Sequence, residues 1–480
     1  MALQKRDYDA VIIGSGPNGL AAAILMQQQG LSVLLIEGKD TIGGGMRSAE
    51  LTLPGFTHDI CSAVHPLAMA SPFFKKLPLQ NFGLAYLQPE LAAAHPLDSG
   101  NAAVLYRSVE QTAAQFGLDK ESYLDSLQGI VTDWPKLIND VLAPLRIPNH
   151  PVALAKFGLK GITSATHFIK RFKTDQARAF FGGMAAHSMQ PLSNAATTAI
   201  GLVLLATGHT SGWPVPKGGS QSIANALGDY FRSIGGEIQT GNYITSLSQL
   251  PSAHVVMFDV TPKQLLQIAG HKFSSIYKWQ LERYRYGTGV FKMDWALDAP
   301  VPFTNENCRK AGTVHIGNTF EEIADAEYRT FKGEIVNKPF VLLAQPSVAD
   351  ATRAPEGKQS VWGYCHAPAG STVDMTAQIE DQIERFAPGF KERILARHTF
   401  NSVQMEEYNP NYIGGDINGG VIDIGQLFTR PALRLSPYRT SAKGLYICSS
   451  STPPGGGVHG MCGFHAAKRA LKDVFNIKVA

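Results

Sequence analysis

The chain has 480 residues, enough for two or three domains with substantial cores, and its 44% hydrophobic and 17% charged content is that of a globular protein. A formal charge of +4 over this length excludes the basic footprint of a nucleic-acid binder. The five cysteines, Cys61, Cys308, Cys365, Cys448 and Cys462, form no Cys-x-x-Cys pair, which argues against a disulfide framework and a zinc site and suits reduced thiols in the cytoplasm.

Residues 8–47 carry the organising pattern. Val11-Ile12-Ile13 is a short apolar run, as a parallel strand covered on both faces requires. Gly14-Ser15-Gly16-Pro17-Asn18-Gly19 follows at once. Gly14 allows the tight turn, Gly16 the close approach of a pyrophosphate, and Gly19 the packing of helix on strand. A helix from Pro17 to about Gly30 aims its free N–H groups at that phosphate. A second buried strand, 33–36, ends at Glu37, whose carboxylate can bind ribose hydroxyls. Together these match a dinucleotide template. Gly43-Gly44-Gly45-Met46-Arg47 then adds backbone donors and a cation beside a second part of a long ligand, which favours FAD over NAD.

A small-residue loop with two histidines follows, and His65, extended ahead of Pro66, is a candidate site residue. From 71 to 207 the spacing turns helical and predicts a helical subdomain facing substrate or membrane. Within it, 151–173 combines Leu154, Phe157, Leu159, Ile162, Phe168, Ile169 and Phe172 with Lys156, Lys160, Lys170, Arg171 and Lys173. Two readings stand: an amphipathic face resting on a membrane and admitting a lipophilic substrate, or a surface helix pair with a solvated basic edge. No apolar run is long enough to span a bilayer, and a first strand near Tyr8 leaves no signal peptide to expect. The expected location is cytoplasmic, with peripheral membrane contact through 151–173.

After 213–220, a turn-rich stretch, the α/β pattern returns: a helix at 220–233, short strands at 237–240 and 243–247, and a buried strand at 253–259 with an acidic end. Alternating segments at 287–297, 340–343 and 361–367 predict an antiparallel sheet. The glycine-, Asn- and Asp-rich loop 409–420 is either a lid over a ligand or a complicated turn. Finally, strand 444–448, the loop Ser449-Ser450-Ser451-Thr452-Pro453-Pro454-Gly455-Gly456-Gly457-Val458-His459-Gly460 and a helix from Met461 to Val474 form a second strand–glycine loop–helix unit. The two ends of the chain would clasp one extended cofactor. The expected class is α/β: a discontinuous Rossmann-type FAD domain (1–70, 208–265, 436–480), the helical block 71–207, and an α+β substrate domain (266–435). Loop position alone makes His65, His366, Asp416 and His459 the candidates for acid–base work.

GSGPNGLAAA with Glu37, TIGGGMR, GFTHDICSAVHPL, WPVPKGGSQ and LYICSSSTPPGGGVHG resemble the FAD-dependent phytoene desaturase-like family, within the glutathione-reductase-type flavoproteins that include amine oxidases. PNYIGGDINGG and PFVLLAQPSVAD are most like its branch of the pyridine nucleotide-disulphide oxidoreductase domain-containing protein 2 type. The resemblance implies that Gly14, Ser15, Gly16, Asn18 and Gly19, with Pro17 among them, meet the pyrophosphate. It implies Glu37 and the adjoining Gly38 at the adenosine ribose, and Gly44, Gly45, Met46 and Arg47 at phosphate or flavin. Ile244 falls at adenine, Gly457, Val458, His459 and Met461 beside the isoalloxazine, and Ser450 near the ribityl chain. Ser449-Ser450-Ser451 departs from the glycine-rich carotenoid desaturases and cautions against carrying over their substrate. The implied reaction is hydride removal from a C–H of a lipophilic, isoprenoid-like small molecule to flavin N5, with oxygen or a quinone as final acceptor. An amine oxidase, a redox-neutral isomerase using reduced FAD, and a non-catalytic prenyl-binding escort are the alternatives.

Overall fold

The computed structural model describes residues 6–479, so the outermost residues of the segments 1–70 and 436–480 lie outside the described residues. Twelve strands of three or more residues fall into two sheets among those residues. In chain order they are β1 (Tyr8–Ile13), β2 (Val33–Ile36), β3 (Leu91–Pro96), β4 (Ala102–Leu105), β5 (Glu237–Gln239) and β6 (Ala253–Phe258). There follow β7 (Gly289–Leu297), β8 (Ala311–Ile316), β9 (Val341–Ala344), β10 (Gln359–Ala367), β11 (Ile394–Phe400) and β12 (Leu445–Ile447).

The first sheet has the order β12-β6-β1-β2-β5, every pair parallel, with Ala10–Ile13 in register with Val33–Ile36 on one side. β2 and the Ala10–Ile13 part of β1 are apolar throughout because both faces are covered. Ala10, Ile12 and Leu35 pack into one core, and Val11, Ile13, Leu34 and Ile36 into another. On the first face lie α1 (Pro17–Gln27) and, packed against it from the other end of the chain, the helix Met461–Ala470. That helix ends at Ala470, four residues short of the expected Val474, and a wider turn, Leu471–Phe475, follows it.

The second sheet runs β11-β7-β10-β9-β8-β3-β4. It is antiparallel except between β8 and β3, so the expected antiparallel sheet is mixed at one pair. The block 71–207 is correspondingly not helical throughout, since β3 and β4 belong to this sheet. β3 reads Leu-Ala-Ala-Ala-His-Pro, and alanine favours helix by intrinsic propensity. Burial of all six residues within the sheet, between β8 and β4, overrides that preference. The helical remainder includes α2 (Lys120–Val141), α3 (Pro151–Gly161), α4 (Asp175–Ala186) and α5 (Thr197–Ser211). In 151–173, Phe157, Phe168, Ile169 and Phe172 are core, which leaves a smaller apolar outer face than the sequence suggests. Beyond α6 (Gln221–Ser233), the expected strand 243–247 is absent. There Ser246 and Gln249 form a capping box that turns the chain into the short helical turn Leu247–Gln249. The helix Phe320–Phe331 (α7) covers the second sheet, and Met461–Ala470 is α8. No helix among the described residues is long and apolar enough to cross a membrane.

Candidate cofactor cleft

The turn after β1 is built so that only glycine fits. Gly14 has φ +94°, and a Cβ on it would lie 2.8 Å from the Asp259 carbonyl oxygen. A Cβ on Gly19 would lie 2.0 Å from the Gly14 carbonyl oxygen, so α1 rests directly on the turn. Glu37, at the end of β2, ties the neighbouring loops together. Its carboxylate accepts from the Ser15 hydroxyl at 2.5 Å, the Ser15 N–H at 3.1 Å and the Lys39 N–H at 2.9 Å. It also pairs with the Arg47 guanidinium at 2.9 Å. Arg47 donates its other N–H groups to the Thr41 carbonyl at 3.0 and 2.8 Å, which pins the glycine-cluster loop to Glu37.

These loops line one side of a cleft of about 360 Å³. Gly14, Ser15, Gly16, Pro17, Asn18, Glu37, Gly38, Gly44, Gly45 and Arg47 all face it. So do Ile244, from the turn after β5, and Ser450, Gly457 and Val458, from the loop after β12. The two glycine loops, some 440 residues apart in the chain (Gly14 and Gly457, 457 − 14 = 443), thus meet in one cavity. Gly19, Met46, His459 and Met461 do not line it. Gly19 serves helix packing, and Met46 is fully buried. His459 Nδ1 caps the Met461 N–H at 3.0 Å while its carbonyl accepts from the Ser71 hydroxyl at 2.7 Å.

Of the four acid–base candidates, only His65 reaches the cleft. Burial pushes its imidazole down to about 4, so it is neutral at pH 7. Its Nε2 meets the Ser220 hydroxyl at 2.7 Å. His366 instead shares both Glu327 carboxylate oxygens, at 2.8 and 2.7 Å, under α7. Asp416 accepts the N–H groups of Gly287 (2.8 Å), Asn418 (2.7 Å) and Gly420 (3.0 Å), so it shapes its loop from inside. That loop does reach the ligand space, through Asn411, Tyr412, Ile417 and Asn418.

Sequence reading misses other lining residues. Asp259, just past β6, comes beside the glycine turn because β6 pairs with β1, a non-local fact, although the acidic strand end is visible in the sequence. His187, just past α4, Leu204 of α5, and Trp362 and Tyr364 of the second sheet lie in no motif, while Trp213 and Leu342 fall inside WPVPKGGSQ and PFVLLAQPSVAD, which by themselves assign neither residue to a cleft. Burial pushes His187 down to about 3, and its Nε2 lies 3.0 Å from that of His315.

The comparisons agree with this geometry. A model of the NAD(P)-binding Rossmann-like domain matches residues 12–77. The chain is 23% identical to rat pyridine nucleotide-disulfide oxidoreductase domain-containing protein 2, over 98% of this chain and 95% of that one. It is 24% identical to the lycopene-forming phytoene desaturase of Pseudescherichia vulneris, over 96% and 98%. Among solved structures, an oxidoreductase from Methanosarcina mazei superposes with a TM-score of 0.64 at 15% identity, covering 95% of this chain and 98% of that one. The chain is an FAD-dependent oxidoreductase. The cleft fits that cofactor: a glycine turn at a helix start for a pyrophosphate, a carboxylate at the end of β2 for a ribose, and a second glycine loop beyond them. A buried polar atom points the same way, for Asn18 Oδ1 has no partner in the protein.

Proposed function

We propose that this oxidoreductase removes a hydride from a C–H bond of a lipophilic, isoprenoid-like molecule. One observation carries the reading: besides the glycine loops, and Leu67 against the second of them, the cleft is walled by Leu204, Trp213, Leu342, Trp362 and Tyr364. The carboxylates lining the cleft, Glu37 and Asp259, both stand at the first glycine turn, so the far end offers an amine substrate no anionic partner. When bound, FAD would supply the two-electron acceptor, with oxygen or a quinone as the final oxidant. Gly14–Gly16, Glu37, Gly44, Gly45, Ser450 and Gly457 would hold it. The apolar wall binds and orients the substrate and excludes water. His65 and His187, both neutral at pH 7, are the imidazoles within reach of a departing proton, and neither places a charge against an apolar chain.

The test is to purify the protein, record its visible spectrum and identify co-purified lipids by mass spectrometry. Bound-flavin bands and an apolar, unsaturated or readily desaturated lipid are expected. A spectrum without those bands, even after FAD is added and the excess removed, overturns the reading. Gly16→Val should lose the flavin, because a Cβ at that position already lies 2.7 Å from the Asp259 Oδ2 and a branched side chain would fill the pyrophosphate space.

The same proposal includes a membrane surface as the source of substrate. What supports it is the outer side of α3 and the loop before it, where Leu145 (80% exposed), Ile147 (93%) and Leu159 (77%) stand out, with Lys156 exposed on α3 and Lys170 and Lys173 exposed in the segment that follows it. α3 packs on α5, whose Leu204 lines the cleft. The apolar side chains and surrounding cations fit an anionic bilayer. Co-sedimentation should be strong with vesicles containing phosphatidylglycerol, weak with phosphatidylcholine alone, and lost in Ile147→Glu/Leu159→Glu. Equal sedimentation of wild type and variant would count against the membrane reading.

A further inference from the structure

Asp259 stands at the glycine turn because β6 lies beside β1, and its N–H donates to the Ile13 carbonyl at 2.8 Å. Its carboxylate Oδ2 accepts the Gly19 N–H at 2.8 Å and sits 2.7 Å from where a Cβ of Gly16 would be. The carboxylate therefore already occupies the positively polarised start of α1, beside which the doubly charged pyrophosphate of FAD must lie. Two anions cannot share that place cheaply.

The surroundings give Asp259 no cation. From the end of β2 comes Glu37, a second carboxylate whose own partner is Arg47. From past β12 comes the Cys448 thiol and from α8 the Cys462 thiol, both pushed up by burial and uncharged. α1 contributes only backbone N–H groups, from Gly19 and Gly16. Burial raises the Asp259 carboxyl to about 7; those N–H groups oppose the rise and Glu37 adds to it.

We propose that FAD binding is coupled to the uptake of one proton by Asp259, which then meets the pyrophosphate as a neutral acid and hydrogen-bond donor. The proposal rests on the FAD reading of the cleft. The sign follows by linkage. The free protein loses this proton as pH rises through neutrality, whereas the complex, with two more negative charges nearby, holds it to higher pH. FAD affinity therefore falls with rising pH, by up to about tenfold per unit above pH ~7.

The experiment titrates FAD into the full-length apoprotein, following flavin fluorescence from about pH 6.5 to about pH 8.5, with calorimetry at one pH in phosphate and in Tris. The expected results are a Kd that rises with pH and a heat that differs between buffers by the uptake of up to one proton. Asp259→Asn should bind with a Kd independent of pH. Wild-type binding that is flat with pH and equal in both buffers overturns the proposal, and so does an Asn variant that keeps the full pH dependence. If Asp259→Asn fails to fold, the buffer comparison on the wild type decides alone. FAD that binds at no pH overturns the cofactor reading and this proposal together, which separates the two failures.

Discussion

Gly463→Ala is expected to destabilise the protein by about 3 kcal/mol and to weaken flavin retention with it. Gly463 lies in α8 where that helix crosses α1, and a Cβ there would fall 1.8 Å from the Asn18 carbonyl oxygen and 2.6 Å from its carbon. The clash is with backbone, so no rotamer relieves it and the helices must move apart. Asn18 follows the glycine turn directly and lines the cleft, so any shift of α1 reaches the pyrophosphate position. Gly158→Ala, in α3 with nothing within 4 Å of its Cβ, is the control and should be neutral or slightly stabilising. Thermal melts and absorbance of the purified variants check both. A Gly463→Ala protein that melts with the wild type and keeps its flavin would show that the two ends of the chain are not packed as described.

The second large effect is at Arg353. This arginine is fully buried and donates to Asp59 Oδ2 at 2.9 Å, Asp350 Oδ2 at 3.1 Å and the Pro216 carbonyl at 3.3 Å. Burial pushes the Asp59 carboxyl up, but the Arg353 guanidinium, with the Ser48 hydroxyl and the Ser220 N–H, offsets this and holds it below the usual carboxylate range. Arg353→Met removes the cation and strands two buried anions, Asp59 and Asp350, which should cost about 3–5 kcal/mol. Asp59→Asn in the same chain should recover part of that loss, since one of the two uncompensated charges then disappears while Asp350 keeps the other. Denaturant melts of the two single variants and the double variant give the coupling. Strictly additive losses would show that the pair is not coupled. Asp59 lies two residues before the cleft-lining stretch 61–67, so Arg353→Met should also disturb the cleft near His65.

How much of this was legible follows from range. The glycine turn, α1, β2 and Glu37 are written in thirty consecutive residues, and the structure places them as that spacing demands. The second glycine loop was legible for the same reason. What escaped depends on pairing between distant segments. Asp259 reads only as an acidic strand end until β6 is known to lie beside β1. β3 reads as helix because alanine favours helix when nothing covers it. His366 and Asp416 look chemically available in a sequence, yet one is held by Glu327 and the other spends its carboxylate on three backbone N–H groups. Trp362 and Tyr364 are single aromatic residues without a motif, and the motif that holds Trp213 says nothing of which way its ring faces, so the apolar end of the cleft was invisible.

The five-strand sheet also bears on how the protein is made. Its centre is laid down by residue 13, but its edge strand β12 is residues Leu445–Ile447 and α8 follows at Met461. Several hundred residues are therefore translated between the first wall of the cleft and the last. Until then β6 has an open edge and the apolar underside of α1 lacks its cover, a state that favours aggregation or chaperone capture. A truncation that removes even the last twenty residues should yield a chain that fails to mature, rather than a smaller working enzyme.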